Sequence, residues 1–317
     1  MKLSRETKIS IIFSIIYLCF AWILSWTYFT THLKDVSEGF EHWHNTIAAG
    51  DIGDSNQFRL MSFWLAEFFH KSLNLQIFIA YITIRFLFTF FTLALFHLFL
   101  RKWFSHERAF LSVTILSAII PVTYLPFLQE ADPLLIFFFL VGLWLIREKK
   151  LLPLAFLIAV ATFAKETIVF LIPFYFIYNW QKKNWLKVIL ESVLFGAIWL
   201  GMFYITRNIF FDGQNSALWQ LPHNIATFGR ALSYNPLINL HLLFLPLFGV
   251  FWVLPFLHLK EKPYLFRRAA PYIILFIVLH FLFGWPQETR IMMPLAFLVI
   301  PSGLLSIFHY LKPEKQI

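Results

Sequence analysis

Apolar residues run along this chain in long stretches, interrupted by short polar turns. The stretches lie near 9–30, 76–100, 109–127, 133–146, 151–164, 167–180, 187–206, 237–259, 269–285 and 291–310. About 20 apolar residues in a helix cross a hydrocarbon core of ~30 Å. The pattern therefore predicts an all-α polytopic membrane protein with about ten transmembrane helices, built as a single transmembrane domain over residues 1–317. The stretch 151–180 is too long for one ordinary span and short for two. It is read as two short helices that meet at Lys165 and Glu166. Two longer polar stretches stand out. Residues 31–75 carry two amphipathic segments, one with Phe40, Trp43 and Ile47 on a face and one with Leu60, Trp64 and Phe68. These predict helices lying in the membrane interface. Residues 207–236 form the second long loop.

Composition sharpens this picture. Hydrophobic residues make up 59% of the chain and charged residues 14%, well below the roughly 25% charged of an average soluble protein. A soluble domain, a disordered chain and a nucleic-acid module are excluded. Cys19 is the only cysteine, so a disulfide scaffold is excluded too. The first apolar run is too long for a signal-peptide core and lacks a small-x-small cleavage site, so it reads as a retained span.

The net charge is +9, but the basic residues sit in short clusters between apolar runs. Lys2, Arg5 and Lys8 precede the first run; Arg101, Lys102 and Arg108, then Arg147, Lys149 and Lys150, then Lys182, Lys183 and Lys187 follow later ones. Lys260, Lys262, Arg267 and Arg268, and finally Lys312 and Lys315, complete the set. With ten spans and a cytoplasmic start, these 18 of the 26 Lys and Arg fall on the cytoplasmic side, as the positive-inside rule requires. If 151–180 were one span, that bias would vanish. The expected location is the inner (cytoplasmic) membrane. Carboxylates collect on the opposite, extracytoplasmic side, which the positive-inside rule does not explain.

Several of those carboxylates stand against hydrocarbon. Asp35 follows the first span. Glu130 and Asp132 form Glu-x-Asp in a short turn between apolar runs. Two carboxylates this close repel, so one is protonated or a cation sits between them; Mg²⁺ or Mn²⁺ would suit such oxygen ligands. The plainer reading makes Asp132 the N-cap of a helix with Pro133 at its first position. Lys165 and Glu166 occupy a turn without Gly, Asn or Pro; they are either a snorkelling pair or a phosphate-binding cation positioned by its neighbour. Arg290, with Glu288 just before it, opens the last span and can grip phosphate oxygens in bidentate fashion or anchor at the interface. Arg85 lies about ten residues inside its span, where a charge is costly and faces a partner or cavity. It is expected to pair with a carboxylate of a neighbouring helix or with a lipid phosphate. His42 and His44 are too close in sequence to share a helical metal site, and Asp51 to Asn56 reads as a turn, since it lacks calcium-loop spacing.

In this order, the motifs resemble the GT-C superfamily of polytopic membrane glycosyltransferases. The acid after the first span (Asp35) is similar to the first-loop aspartate of that family. The stretch Trp43 to Ala66, with Gly50 and Gln57-Phe58-Arg59-Leu60, looks like the loop of its bacterial members. Glu130-Ala131-Asp132 resembles the acidic turn between the third and fourth spans; Ala164-Lys165-Glu166-Thr167 is similar to a later Lys-Glu junction, and Arg290-Ile291-Met292-Met293-Pro294 to a late Arg-then-Pro element. The first loop has no DxD or ExD pair beside Asp35, and the apolar pattern leads to no expectation of a large soluble C-terminal domain.

The resemblance implies transfer of a sugar from a polyprenyl-phosphate donor to a glycan, lipid or protein acceptor on the extracytoplasmic face, with inversion. It implies Asp35 as base, Glu130 and Asp132 orienting the acceptor or holding a metal, and Lys165, Arg290 and Arg59 neutralising the leaving phosphate, with Glu166 and Glu288 in the same binding region. Two other functions fit the same chain: a polysaccharide polymerase or ligase using diphosphate-linked oligosaccharides, and a polyprenyl-lipid transporter or flippase.

Overall fold

A computed structural model of the chain describes residues 5–31, 36–49, 58–123, 130–181, 183–209, 222, 225–226, 247–283 and 289–311. Among these residues the secondary structure is entirely helical. The main α-helices are α1 (Arg5–Thr31), α2 (Val36–Ala49), α3 (Leu60–Leu73), α4 (Ile77–Leu100), α5 (His106–Ile119), α6 (Asp132–Arg147), α7 (Leu151–Thr162), α8 (Leu171–Asn179), α9 (Trp185–Tyr204), α10 (Tyr264–Phe283) and α11 (Ala296–Tyr310). Among the described residues, five stretches are long and apolar enough to cross a membrane: Glu6–Thr30, Ile77–Leu100, Trp185–Asn208, Tyr264–Phe283 and Arg290–Tyr310. The other expected spans are shorter helices or broken segments.

Helix α1 shows how the apolar pattern divides its faces. Ile11, Ile12, Ile15, Leu18, Trp22, Ile23 and Trp26 are exposed, and Cys19 is exposed among them. Tyr17, Ala21, Leu24 and Tyr28 recur at helical spacing on the buried face, which packs along α4. Helix α4 also packs against α2, α3, α5 and α6. The Tyr17 hydroxyl meets His97 Nδ1 at 2.6 Å, and His97 Nε2 meets His106 Nδ1 at 3.0 Å, so a polar chain ties α1, α4 and α5 through an otherwise apolar core of Phe96, Phe99, Phe139 and Phe297. The last long helix is central and largely buried, whereas α9 turns nearly all of its surface outward.

The stretch 151–180 does contain two short helices, and they form a hairpin. Helix α7 packs against α6 and reaches Lys165, whose side chain meets Asp132 at the start of α6. The chain then reverses through a 3₁₀ turn, Glu166–Phe170, into α8. At the end of α8, Tyr178 lies within electrostatic reach of Arg147 and Glu148 at the end of α6, and its carbonyl accepts from the Tyr264 hydroxyl at 2.8 Å.

The expected span 237–259 is not one α-helix. Residues 237–246 lie outside the described residues, and the rest is a series of 3₁₀ turns, Gly249–Trp252, Leu254–Phe256 and Leu259–Glu261. Gly249 sits at φ +50°, a left-handed conformation that glycine adopts without steric cost, and Pro255 removes a backbone donor. Carbonyls freed in an apolar interior need other partners. Lys262 Nζ donates to Leu254 O at 3.0 Å and Pro255 O at 2.7 Å, and Ser306 Oγ donates to Leu254 O at 2.8 Å.

The amphipathic segments of the first loop are helical, as expected. Helix α2 turns Phe40, Trp43 and Ile47 onto protein: Phe40 and Trp43 lie 5.7 and 5.6 Å from the Tyr81 ring on α4, because α1 and α4 present an aromatic surface there. Helix α3 buries Leu60, Ser62 and Ala66 and leaves Trp64 and Phe68 exposed.

Candidate functional site

The charges that the sequence places at helix ends gather at one end of the bundle. Glu130, in the turn before α6, is 3% exposed. Its Oε1 accepts from the Tyr28 hydroxyl of α1 at 2.7 Å, and its Oε2 lies 3.3 Å from Arg85 Nη2 of α4. The Arg85 guanidinium also covers the Tyr28 ring at 3.4 Å, a cation–π contact that strengthens when desolvated. Arg85 thus finds the carboxylate partner that its depth in the span demands.

Two residues later, Asp132 faces other cations. Its Oδ1 is 2.5 Å from Lys165 Nζ, and its Oδ2 is 3.8 Å from Arg290 Nε. Asp132 does not act as an N-cap; Ala131 takes the cap position without a side-chain bond, Pro133 follows in the first turn, and the carboxylate is engaged by Lys165 instead. Lys165 is 1% exposed and has an extended backbone, φ −165° and ψ 133°. That single extended residue breaks the helix between α7 and the 3₁₀ turn. No glycine or proline dictates the break; the buried ion pair fixes it.

Glu166 points elsewhere. Its Oε1 accepts from Arg59 Nη2 at 3.2 Å, and its carbonyl accepts from Trp199 Nε1 of α9 at 2.9 Å. Arg59 is brought there because Met61 N–H donates to Phe163 O at 3.0 Å, pinning the start of α3 to the end of α7. Arg207, beyond α9, stacks over Phe58 and Phe203 at 4.3 and 4.4 Å and feels the charges of Glu166 and Arg59. Arg59 and Arg290 are both close enough to Lys165 and Asp132 to act on them, and Tyr28 feels Asp132. The ion pairs therefore form one electrostatic unit contributed by α1, α3, α4, α6, the α7–α8 turn and the start of the last helix.

Of the residues predicted for the site, Glu130, Asp132, Arg59, Lys165, Glu166 and Arg290 converge. Asp35 and Glu288 lie outside the described residues. Arg207 and Tyr28 join the site without having been expected there; an arginine just past an apolar run was the available signal for the former. The carboxylates offered for a divalent ion already face protein groups. Both Glu130 oxygens face Tyr28 or Arg85, and both Asp132 oxygens face Lys165 or Arg290. Protein cations thus stand where the sequence reading offered Mg²⁺ or Mn²⁺ as one alternative.

Comparison of the chain with protein-family models, curated proteins and solved structures returned no match. Its chemistry is therefore read from the cluster itself. Arg59, Arg85, Lys165, Arg207 and Arg290 gather there with Glu130, Asp132 and Glu166. Fixed charges in such dry surroundings act far more strongly on an incoming anion than they would in water.

A second polar group lies on the loop side. His44 Nε2 meets Glu67 Oε1 at 2.8 Å and His44 Nδ1 meets the Tyr81 hydroxyl at 3.0 Å, with the imidazole stacked on Phe63. Lys71 pairs with the same carboxylate. Hydrogen bonds from Lys71 and then His44 hold the Glu67 carboxyl below its ordinary range. His42 is exposed and takes no part; the His42/His44 spacing is not a shared site.

Proposed function

We propose that the protein is a GT-C-type glycosyltransferase that moves a sugar from a polyprenyl-phosphate donor to an acceptor at the extracytoplasmic rim of the membrane. The observation that carries this reading is the convergence of Arg59, Lys165 and Arg290, distant in the chain, around Asp132 and Glu166 at one end of a lipid-compatible bundle. Buried charge in a membrane protein is costly and by default functional.

In this reading the donor lipid lies against the apolar helices and its phosphate meets Lys165, Arg59 and Arg290. As the anomeric C–O bond breaks, negative charge grows on the phosphate oxygens, and preorganised cations stabilise that growth. Asp35 takes the proton of the acceptor hydroxyl as its oxygen attacks the anomeric carbon from the opposite face, which inverts that carbon. Asp132 and Glu166 hold the cations in place before the phosphate arrives. Glu130, locked by Arg85 and Tyr28, shapes the acceptor side. The finer architecture that belongs with this reading is a ten-pass topology with both chain ends cytoplasmic.

The test is a transfer assay in proteoliposomes with a panel of polyprenyl-monophosphate and diphosphate sugars. Wild type transfers from a monophosphate donor, Asp35→Asn loses about 10²–10⁴ in rate, and Lys165→Met loses transfer while remaining folded by circular dichroism. Full activity of Asp35→Asn removes it as the base. Turnover only with diphosphate-linked oligosaccharides, or lipid flipping without transfer, overturns the proposal.

A further inference from the structure

At the end of the bundle opposite the charged cluster, three metal-ligand side chains meet. His258 and Glu261 flank the last 3₁₀ turn before α10, and His309 is in the last turn of α11. One ligand atom from each of the three lies within 4.8 Å of the others. His309 Nδ1 is 2.6 Å from Glu261 Oε2, and His258 Nδ1 is 3.8 Å from Glu261 Oε1. The two imidazoles face each other with ring centroids 4.2 Å apart. We propose that His258, Glu261 and His309 form a reversible binding site for a Zn²⁺-class transition metal, which clamps the broken 249–261 segment to the end of α11.

The donor chemistry carries the assignment. Two imidazoles and one carboxylate suit zinc, which takes nitrogen and oxygen ligands at about 2.0–2.2 Å in a tetrahedron. Ligand atoms in such a tetrahedron sit about 3.3 Å apart, so the His309–Glu261 pair at 2.6 Å opens and the His258–Glu261 pair at 3.8 Å closes by a fraction of an ångström on binding. All three side chains are partly exposed, so they can adjust by changing rotamer and leave the fourth position to water. On binding, any proton held between His309 Nδ1 and Glu261 leaves to solvent.

The backbone is a second, independent observation. His258 has φ +52° and ψ 36°, a left-handed conformation uncommon for a residue with a side chain. It turns the His258 ring into the space between His309 and Tyr310, whose ring lies edge-on at 4.7 Å. The neighbouring Lys262 directs its ammonium away, into the carbonyls of Leu254 and Pro255, so the nearest buried cation does not occupy the site. The group is far from the proposed transfer site: the last span runs from Arg290 at the cluster end to His309 at this one.

The experiment uses the full-length protein in detergent, stripped with chelator and titrated with Co²⁺ as a spectroscopic probe and with Zn²⁺ in competition. Wild type should develop one equivalent of visible tetrahedral Co²⁺ absorption, displaced by Zn²⁺, and its thermal midpoint should rise with Zn²⁺. His309→Ala and Glu261→Gln should each weaken binding about 100-fold or more, since even outer-shell changes cost 10–100-fold. His42→Ala, at an exposed histidine outside the group, should bind as wild type does. Unchanged circular dichroism in each variant separates loss of ligand from loss of fold. The proposal fails if wild type shows no stoichiometric absorption, or if His309→Ala and Glu261→Gln retain it.

Discussion

Lys165 and Asp132 show what a single ion pair does in this setting. Lys165 is 1% exposed and its partner lies 2.5 Å away. Burying both charges costs several kcal/mol per ion, so the intact pair adds little net stability; removing one partner leaves the other uncompensated, which costs about 3–5 kcal/mol. Asp132→Asn and Lys165→Met should each lower the thermal midpoint sharply, and the double variant should lose less than the sum of the two. Thermal unfolding of the three variants in one detergent checks this as a double-mutant cycle. The Lys187–Glu191 pair on α9 is the control: its lysine side chain is 73% exposed and its charges are 3.8 Å apart, so Lys187→Ala should change little. Equal losses at both sites, or additive losses at the first, would show that the buried pair is not a coupled unit.

At the scale of elements, small residues set where helices approach closely. A Cβ on Gly303 of α11 would stand 2.4 Å from Phe251 Cδ1 and 3.3 Å from Leu254 Cβ, so the 249–257 segment packs directly on the backbone there. Gly303→Ala forces an aromatic ring to shift and should cost about 1–3 kcal/mol. At Gly196 and Gly201, on outward-facing α9, an added methyl would meet no atom within 4 Å; alanine there should be neutral or stabilising by up to about 1 kcal/mol, the helix-propensity gain. Thermal midpoints of the three variants decide it, and a neutral Gly303→Ala would mean the contact gives way freely. The same elements show what could be read from sequence. Helices α1, α4, α6, α9 and α10 follow unbroken apolar runs, and the charged pair Lys165-Glu166 marks the α7–α8 reversal. Hydropathy alone does not reveal the broken 249–261 segment, because part of what supports it is remote: Ser306 and Lys262 donate to the Leu254 and Pro255 carbonyls. The site divides in the same way. Its members announce themselves as charges against apolar runs, but their pairing does not. Glu130 and Asp132 are two residues apart, yet one joins Arg85 and Tyr28 while the other joins Lys165 and Arg290.

Across the whole molecule, charge is sorted between two ends. Arg147 contacts Phe99 O at 3.2 Å, Trp103 packs on Phe266 at 4.9 Å, and Arg268 donates to Trp180 O at 2.9 Å, so the turns after α4, α6 and α8 and the start of α10 share one end. The ion-paired cluster occupies the other. The positive-inside rule predicts that the first of these is the cytoplasmic end, and the α7–α8 hairpin keeps the turns after α6 and α8 on one side. Cysteine accessibility tests this, because Cys19 is the only cysteine and Cys19→Ser gives a cysteine-free background. Single cysteines at Lys150 and Lys183, both exposed, should react with a membrane-impermeant maleimide only after permeabilisation. One at Lys71, whose side chain is 74% exposed at the end of α3, should react in intact cells. If 151–180 crossed the membrane once, the Lys150 and Lys183 positions would label from opposite sides. That result would also move Lys183 and the basic residues beyond it across the bilayer, cancelling the charge asymmetry that orients the molecule. It would leave no reason to place the cluster outside the cell, so the labelling pattern decides the orientation on which extracytoplasmic transfer depends.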